Sequence, residues 1–133
     1  MNKLEATRIA KNFIATDLKK VDWFVSVESY IKAIIFYGSR AKETNREDSD
    51  IDILIILPLE QEEKHTLGEY VYNYENIEIN IVLRSIEKLR TIAKERKDSF
   101  QKEVFRGSEI LVDTDGEVTT LLREIDTIIP NFS

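Results

Sequence analysis

The segment from Ala33 to Leu57 constrains the fold more than any other part of the chain. Ala33 to Tyr37 is an unbroken apolar and aromatic run that stops at Gly38. Twelve mostly polar residues follow, and apolar character then resumes from Ile51 until Pro58 stops it. Short continuous apolar runs closed by Gly or Pro read as buried strands. The second run opens with two carboxylates, Asp50 and Asp52, already inside the strand pattern. Period-two alternation puts both on one side, with Ile51 and Ile53 on the other. Like charges this close raise one pKa unless a cation sits between them, and hard Mg²⁺ takes oxygen ligands of this kind. A wet edge of an acidic protein is the plain alternative, and a lone D-x-D pattern leaves both open.

At 133 residues the chain has the length of one ordinary domain, so a single domain over 1–133 is expected. Hydrophobic residues at 42%, with only 4 Gly and 2 Pro, support a packed core and argue against disorder. No apolar stretch approaches the length that spans a bilayer, and MNKLEATRIAKN lacks the apolar centre of a signal peptide. The absence of Cys excludes disulfides, thiolate metal sites and a Cys nucleophile. A cytoplasmic location is the resulting expectation. A net charge of −6 and a pI near 4.9 argue against a grip on long nucleic acid, whose affinity rests on basic phosphate contacts.

Periodicity places the other elements. A helical stripe runs over residues 3–20, and a short helix or turn over 23–31. Ala41 to Glu43 suits a helical turn, and Asn45 to Asp48 a polar loop. Helix formers extend from Leu59 to about Tyr72, interrupted by Gly68. Ile77 to Leu83 alternates as a third strand with Glu78 and Asn80 on one face. One or two helices are expected over 85–106, a short edge strand at Ile110 to Val112 and a last helix over 116–129. Strands alternating with helices give an α/β or α+β domain with a small mixed sheet flanked by helices. His65, the sole histidine, reads as a surface residue. Tyr70, Tyr72 and Tyr74 suit packing better than base stacking.

Gly38-Ser39 adds chemistry to the turn after the first strand. Gly lets the backbone come close to a ligand, and Ser can cap a helix whose free N–H groups favour an anion. Arg40 and Lys42 add positive charge there. On their own, these residues are better explained by an ordinary capped turn. Adjacent strands, however, would bring this turn and the two aspartates to the same end of one sheet.

Ser39 and Asp50 are separated by ten residues, giving G-S-x(10)-D-x-D. With GSRAK followed by SDIDILI, this resembles the signature of the polymerase β-like nucleotidyltransferase superfamily, and within it the small MNT-type domains. The likeness is close over Ile34–Leu57, about a fifth of the chain, and looser beyond. It implies the nucleotidyltransferase fold and Mg²⁺-dependent transfer of NMP, expected to be AMP from ATP, to an acceptor. Gly38 and Ser39, helped by Arg40 and Lys42, would hold the triphosphate. Asp50 and Asp52 would bind two Mg²⁺ ions. A third carboxylate on a neighbouring strand would complete the set; Glu78 is the favoured residue, with Asn80 the alternative on the same face. Glu43 stands where the family commonly has Gly. So small a domain leaves little room for an acceptor site, and the resemblance suggests a helical HEPN-type partner as acceptor, in a toxin–antitoxin pair. The competing expectation is a catalytically weak or inactive binding module that works by complex formation. Oligomeric state, a homo-oligomer included, stays open.

Overall fold

The computed structural model describes residues 3–37, 50–65, 69–95, 105 and 108–126. Among them the chain runs α1 (Lys3–Ala15), α2 (Asp22–Val27), β1 (Ala33–Tyr37), β2 (Ile51–Leu57), α3 (Leu59–Glu63), β3 (Glu69–Tyr74), β4 (Ile77–Ser85), α4 (Ile86–Lys94), β5 (Glu109–Asp113) and α5 (Glu117–Asp126). Single 3₁₀ turns at Leu18–Lys20 and Glu28–Tyr30 link the first elements. The strands form one mixed sheet in the order β3-β4-β2-β1-β5. Only β2 and β4 pair in parallel; the other three pairings are antiparallel.

The apolar runs explain the layering. In β2, Ile51, Ile53, Ile55 and Leu57 point to one side and are fully buried against α1 and α2, together with Phe36, Ile79 and Ile81. Leu54 and Ile56 point to the other side, where Ala33 and Ile35 join Leu89 and Ile92 of α4 and Val118 and Leu122 of α5. A strand covered on both faces needs no alternation, which is why β2 reads as nearly continuous Ile and Leu. Among the described residues no helix is long and apolar enough to cross a membrane.

One expected element is different. The helix read over Leu59 to Tyr72 ends at Glu63, and Glu69–Tyr74 is the edge strand β3. Helix formers in LEQEEKH dominate the local reading, but EYVYNY alternates at period two. Its Tyr70, Tyr72 and Tyr74 pack on the helical layer: Tyr70 stacks on Trp23 at 4.2 Å, and the Trp23 indole N–H donates to the Tyr72 hydroxyl at 2.7 Å. Glu75 and Asn76 both take positive φ, 52° and 63°, as a two-residue hairpin turn matching the strand twist requires. Tertiary packing of three tyrosines thus overrides helix propensity.

The strand expected at Ile110 to Val112 is present as β5, on the sheet edge opposite β3. The loop from β5 into α5 is fixed by charge. The Asp113 carboxylate accepts from the backbone N–H of Gly116 at 3.1 Å and of Thr119 at 2.9 Å, and from the Thr119 hydroxyl. Lys32 pairs with Asp115 at 2.5 Å and Glu117 at 3.2 Å, and Arg90 holds Glu117 through two N–H groups at 2.6 and 3.0 Å. These pairs tie the approach to β1, α4 and α5 together. The expected turn at 41–43, the loop at 45–48 and most of 96–106 lie outside the described residues.

Candidate active site

Register decides which side chains meet. Tyr37 of β1 lies opposite Asp52 of β2, Asp52 opposite Asn80 of β4, and Asn80 opposite Val71 of β3. Directly paired residues project to the same face, so these four form a row across the sheet. Asp50 precedes β2 on that same side. The face is the one on which α4 and α5 cover the sheet; Tyr37 packs at the margin of that cluster, while Val71 at the other end of the row stays 60% exposed.

The carboxylates converge on one amide. The Asn80 Nδ2 donates to Asp50 Oδ2 at 3.0 Å and lies 3.4 Å from Asp52 Oδ1. Asp50, Asp52 and Asn80 are all half-buried, whereas Glu78 is exposed. Burial holds the Asp52 carboxyl above its ordinary range; the Asn80 hydrogen bond opposes this and the Asp50 charge reinforces it. Glu78 is held up chiefly by its hydrogen bond and repulsion with Asp50. Tyr37 is pushed up to about 12, first by burial and next by the Asp52 charge. Strain of this kind, like charges gathered on a partly desolvated face, marks sites built for a cation or a proton transfer.

Of the residues expected from sequence, Asp50, Asp52 and Glu78 are therefore brought together, with Asn80 among them. Asn80, not Glu78, is in register with Asp52, while Glu78 contacts Asp50 from the start of β4. Gly38, Ser39, Arg40 and Lys42 lie outside the described residues, as does Glu43. Nothing in the sequence alone marks Tyr37 as a site residue. Its place as the last residue before Gly38 is visible there, but its facing Asp52 depends on the antiparallel β1–β2 register.

A family model described as "Polymerase beta, Nucleotidyltransferase" matches residues 19–117. The chain belongs to this family. The matched span contains the whole Asp50, Asp52, Glu78 and Asn80 cluster and the strands that carry it. Among solved structures, the chain is similar in fold to a nucleotidyltransferase-like protein from Exiguobacterium sibiricum 255-15, with a TM-score of 0.51 and 10% identity. That superposition covers 80% of this chain but 38% of the other, so this nucleotidyltransferase-family domain corresponds to a minor part of the larger protein. No curated protein matches the sequence.

The donors suit a hard divalent ion in type. Asp50 and Asp52 present carboxylate oxygens to a shared point that a single N–H donor fills. Among the described residues no three His, Cys, Asp or Glu side chains are grouped closely enough to hold a metal, and the Asn80 amide donates toward both aspartates. Two carboxylates thus fit the cation, and a third ligand requires Glu78 to swing inward or the Asn80 amide to turn its oxygen toward the ion.

Proposed function

We propose that this nucleotidyltransferase-family chain is a Mg²⁺-dependent enzyme that transfers NMP, AMP from ATP, to an acceptor hydroxyl. The observation that carries the reading is the convergence of Asp50 and Asp52 on one half-buried point beside Glu78. Asp50 and Asp52 would hold Mg²⁺, two ions in the family's manner, with Glu78 as the third ligand. Bound there, the metal supplies charge stabilisation of the attacking and leaving oxygens in an in-line displacement. The chain's own part is orientation. Asn80 fixes the two aspartates against each other, and β2 fixes both against the sheet. Glu78, in contact with Asp50 at the start of β4, would accept the acceptor's proton. Gly38, Ser39, Arg40 and Lys42 complete the proposal as the triphosphate grip.

The test is incubation of the chain with α-labelled ATP and Mg²⁺, with and without a candidate helical HEPN-type partner, alongside calorimetry of ATP binding. Label transfer or cation-dependent ATP binding by wild type, lost in Asp50→Asn/Asp52→Asn, is the expected result. Equal behaviour of wild type and the double variant removes the assigned site. Asn80 in register with Asp52, where a carboxylate would serve a metal, favours a second reading: a module that binds nucleotide or partner with little turnover. ATP binding without any transfer supports that reading.

A further inference from the structure

Beside the Asp52 row the same face of the sheet opens into a cavity of about 600 Å³. Its floor is Leu54, Val82 and Ile56, the next residues of that face along β2 and β4, so it begins one residue pair, about 7 Å, from Asp52. Leu59, Leu89, Ile92 and Phe105 make apolar walls, and Tyr37 stands at the boundary between cavity and carboxylates. The volume falls within the range of small-molecule sites.

Charge distinguishes the possible occupants. Arg84, Lys88 and Glu62 line the cavity, and Ser85, the N-cap of α4, lies on the same wall. Neither Arg84 nor Lys88 forms an ion pair with a described carboxylate, Glu62 included. Arg84 is two residue pairs from the Asp52 row, opposite Ile56. Among the described residues, the far end of the cavity thus offers two cations without an ionic partner against one carboxylate, the Arg84 guanidinium also donating to the Leu83 carbonyl at 3.1 Å. A nucleobase is neutral and its nucleotide's charge lies at the phosphate end, so an NTP entering base-first would leave these cations unanswered.

We infer that the cavity is an acceptor subsite for a small molecule with an apolar body, a hydroxyl reaching the Tyr37–Asp52 row and an anionic end meeting Arg84 and Lys88. The inference rests on the transfer reading above. In that reaction the acceptor oxygen bonds to the α-phosphorus as the bond from that phosphorus to the bridging oxygen breaks. Pyrophosphate leaves with the electron pair, and the hydroxyl proton passes to Glu78.

The test uses the full chain and para-hydroxyphenylpropionate, which has a hydroxyl, a flat apolar body and a carboxylate in line. Its neutral amide and the cationic amine tyramine serve as comparisons, all followed by calorimetry. The carboxylate should bind about tenfold more tightly than the amide, and tyramine more weakly still. In Arg84→Met/Lys88→Met the carboxylate's advantage should vanish while the amide's affinity stays. ATP with Mn²⁺ should bind the probe-saturated chain as it binds the free chain. Equal affinity of carboxylate and amide for wild type overturns the inference, and so does no binding of either at about 10 mM. Displacement of the probe by ATP would instead identify the cavity as a nucleotide pocket. The expected probe ranking with no ATP binding in Mn²⁺ would sink the transfer reading while leaving the cavity a site for small anions. These wild-type comparisons decide the matter even if the double variant fails to fold.

Discussion

Replacing Asn80 by Asp changes one atom type at the centre of the site and should reveal what the amide is doing there. In wild type the Asn80 Nδ2 donates to Asp50 at 3.0 Å and lies 3.4 Å from Asp52. Hydrogen bonds to charged groups contribute about 1.5–3 kcal/mol when buried, and half-burial at all three residues reduces the pair to about 1 kcal/mol. The new carboxylate adds repulsion of about 1 kcal/mol or somewhat more, given contact distances and a dielectric near that of water. Asn80→Asp should therefore cost about 2 kcal/mol in a chelator. For 133 residues, unfolding entropy of about 2 cal/mol/K per residue turns this into a Tm lower by about 7 °C. Asn80→Ala, which removes the donor without adding charge, should lose about half as much. Mg²⁺ should raise the Tm of Asn80→Asp more than that of wild type, because ligand binding to the folded state stabilises it and the variant offers one more carboxylate. The assay is a thermal melt followed by circular dichroism in EDTA and across a Mg²⁺ series. If Asn80→Asp melts with wild type in EDTA, the amide does not bridge the aspartates. If Mg²⁺ does not favour the variant, the face is not a cation site.

Three other perturbations follow from the same contacts. Asp115 is held below the usual carboxylate range chiefly by its hydrogen bond with Lys32, and Glu117 chiefly by that with Arg90. Because their folded pKa values are depressed, their contribution is full above the unfolded value of about 4 and is lost as pH falls below it; the Tm of wild type should drop more steeply there than that of Asp115→Asn. Asp113→Ala removes three acceptor contacts at the start of α5 and should cost about 1–2 kcal/mol in urea unfolding. Ile81→Ala, at a fully buried position of β4, should cost about 2–5 kcal/mol in the same assay, according to how far the core relaxes.

The sequence exposes some of this architecture and hides the rest for physical reasons. Strands β1 and β2 are legible because apolar runs closed by Gly38 and Pro58 have few other uses, and β4 because IEINIVL alternates at period two. The shared face of Asp50 and Asp52 follows from strand period alone. Strand β3 is not legible, since Glu and Lys before Gly68 favour a helix and the tyrosine alternation gains its meaning only when Phe13 and Trp23 arrive from α1 and α2. That Glu78 and Asn80 share a face is visible in IEINIVL. Which of them stands beside Asp52 is not, because parallel register is set by the β3–β4 hairpin and the packing around it. The cavity is least visible of all, being a space between β2, β4, α3 and α4 that no single segment encodes.

Strand β2 is paired along both edges, by β1 and by β4, and its Ile51, Ile53 and Ile55 are sealed beneath α1 and α2. A slip of one residue in either pairing would exchange those isoleucines for the aspartates and drive two carboxylates into the apolar layer. The acidic pair therefore serves as a spelling check on the fold. Any mispaired intermediate that retained both charges on the wrong side would be expelled by their solvation alone. Neutralising both aspartates would remove the chemistry and this proofreading together, so a variant of that kind should fold with more off-register species even where its native state is no less stable.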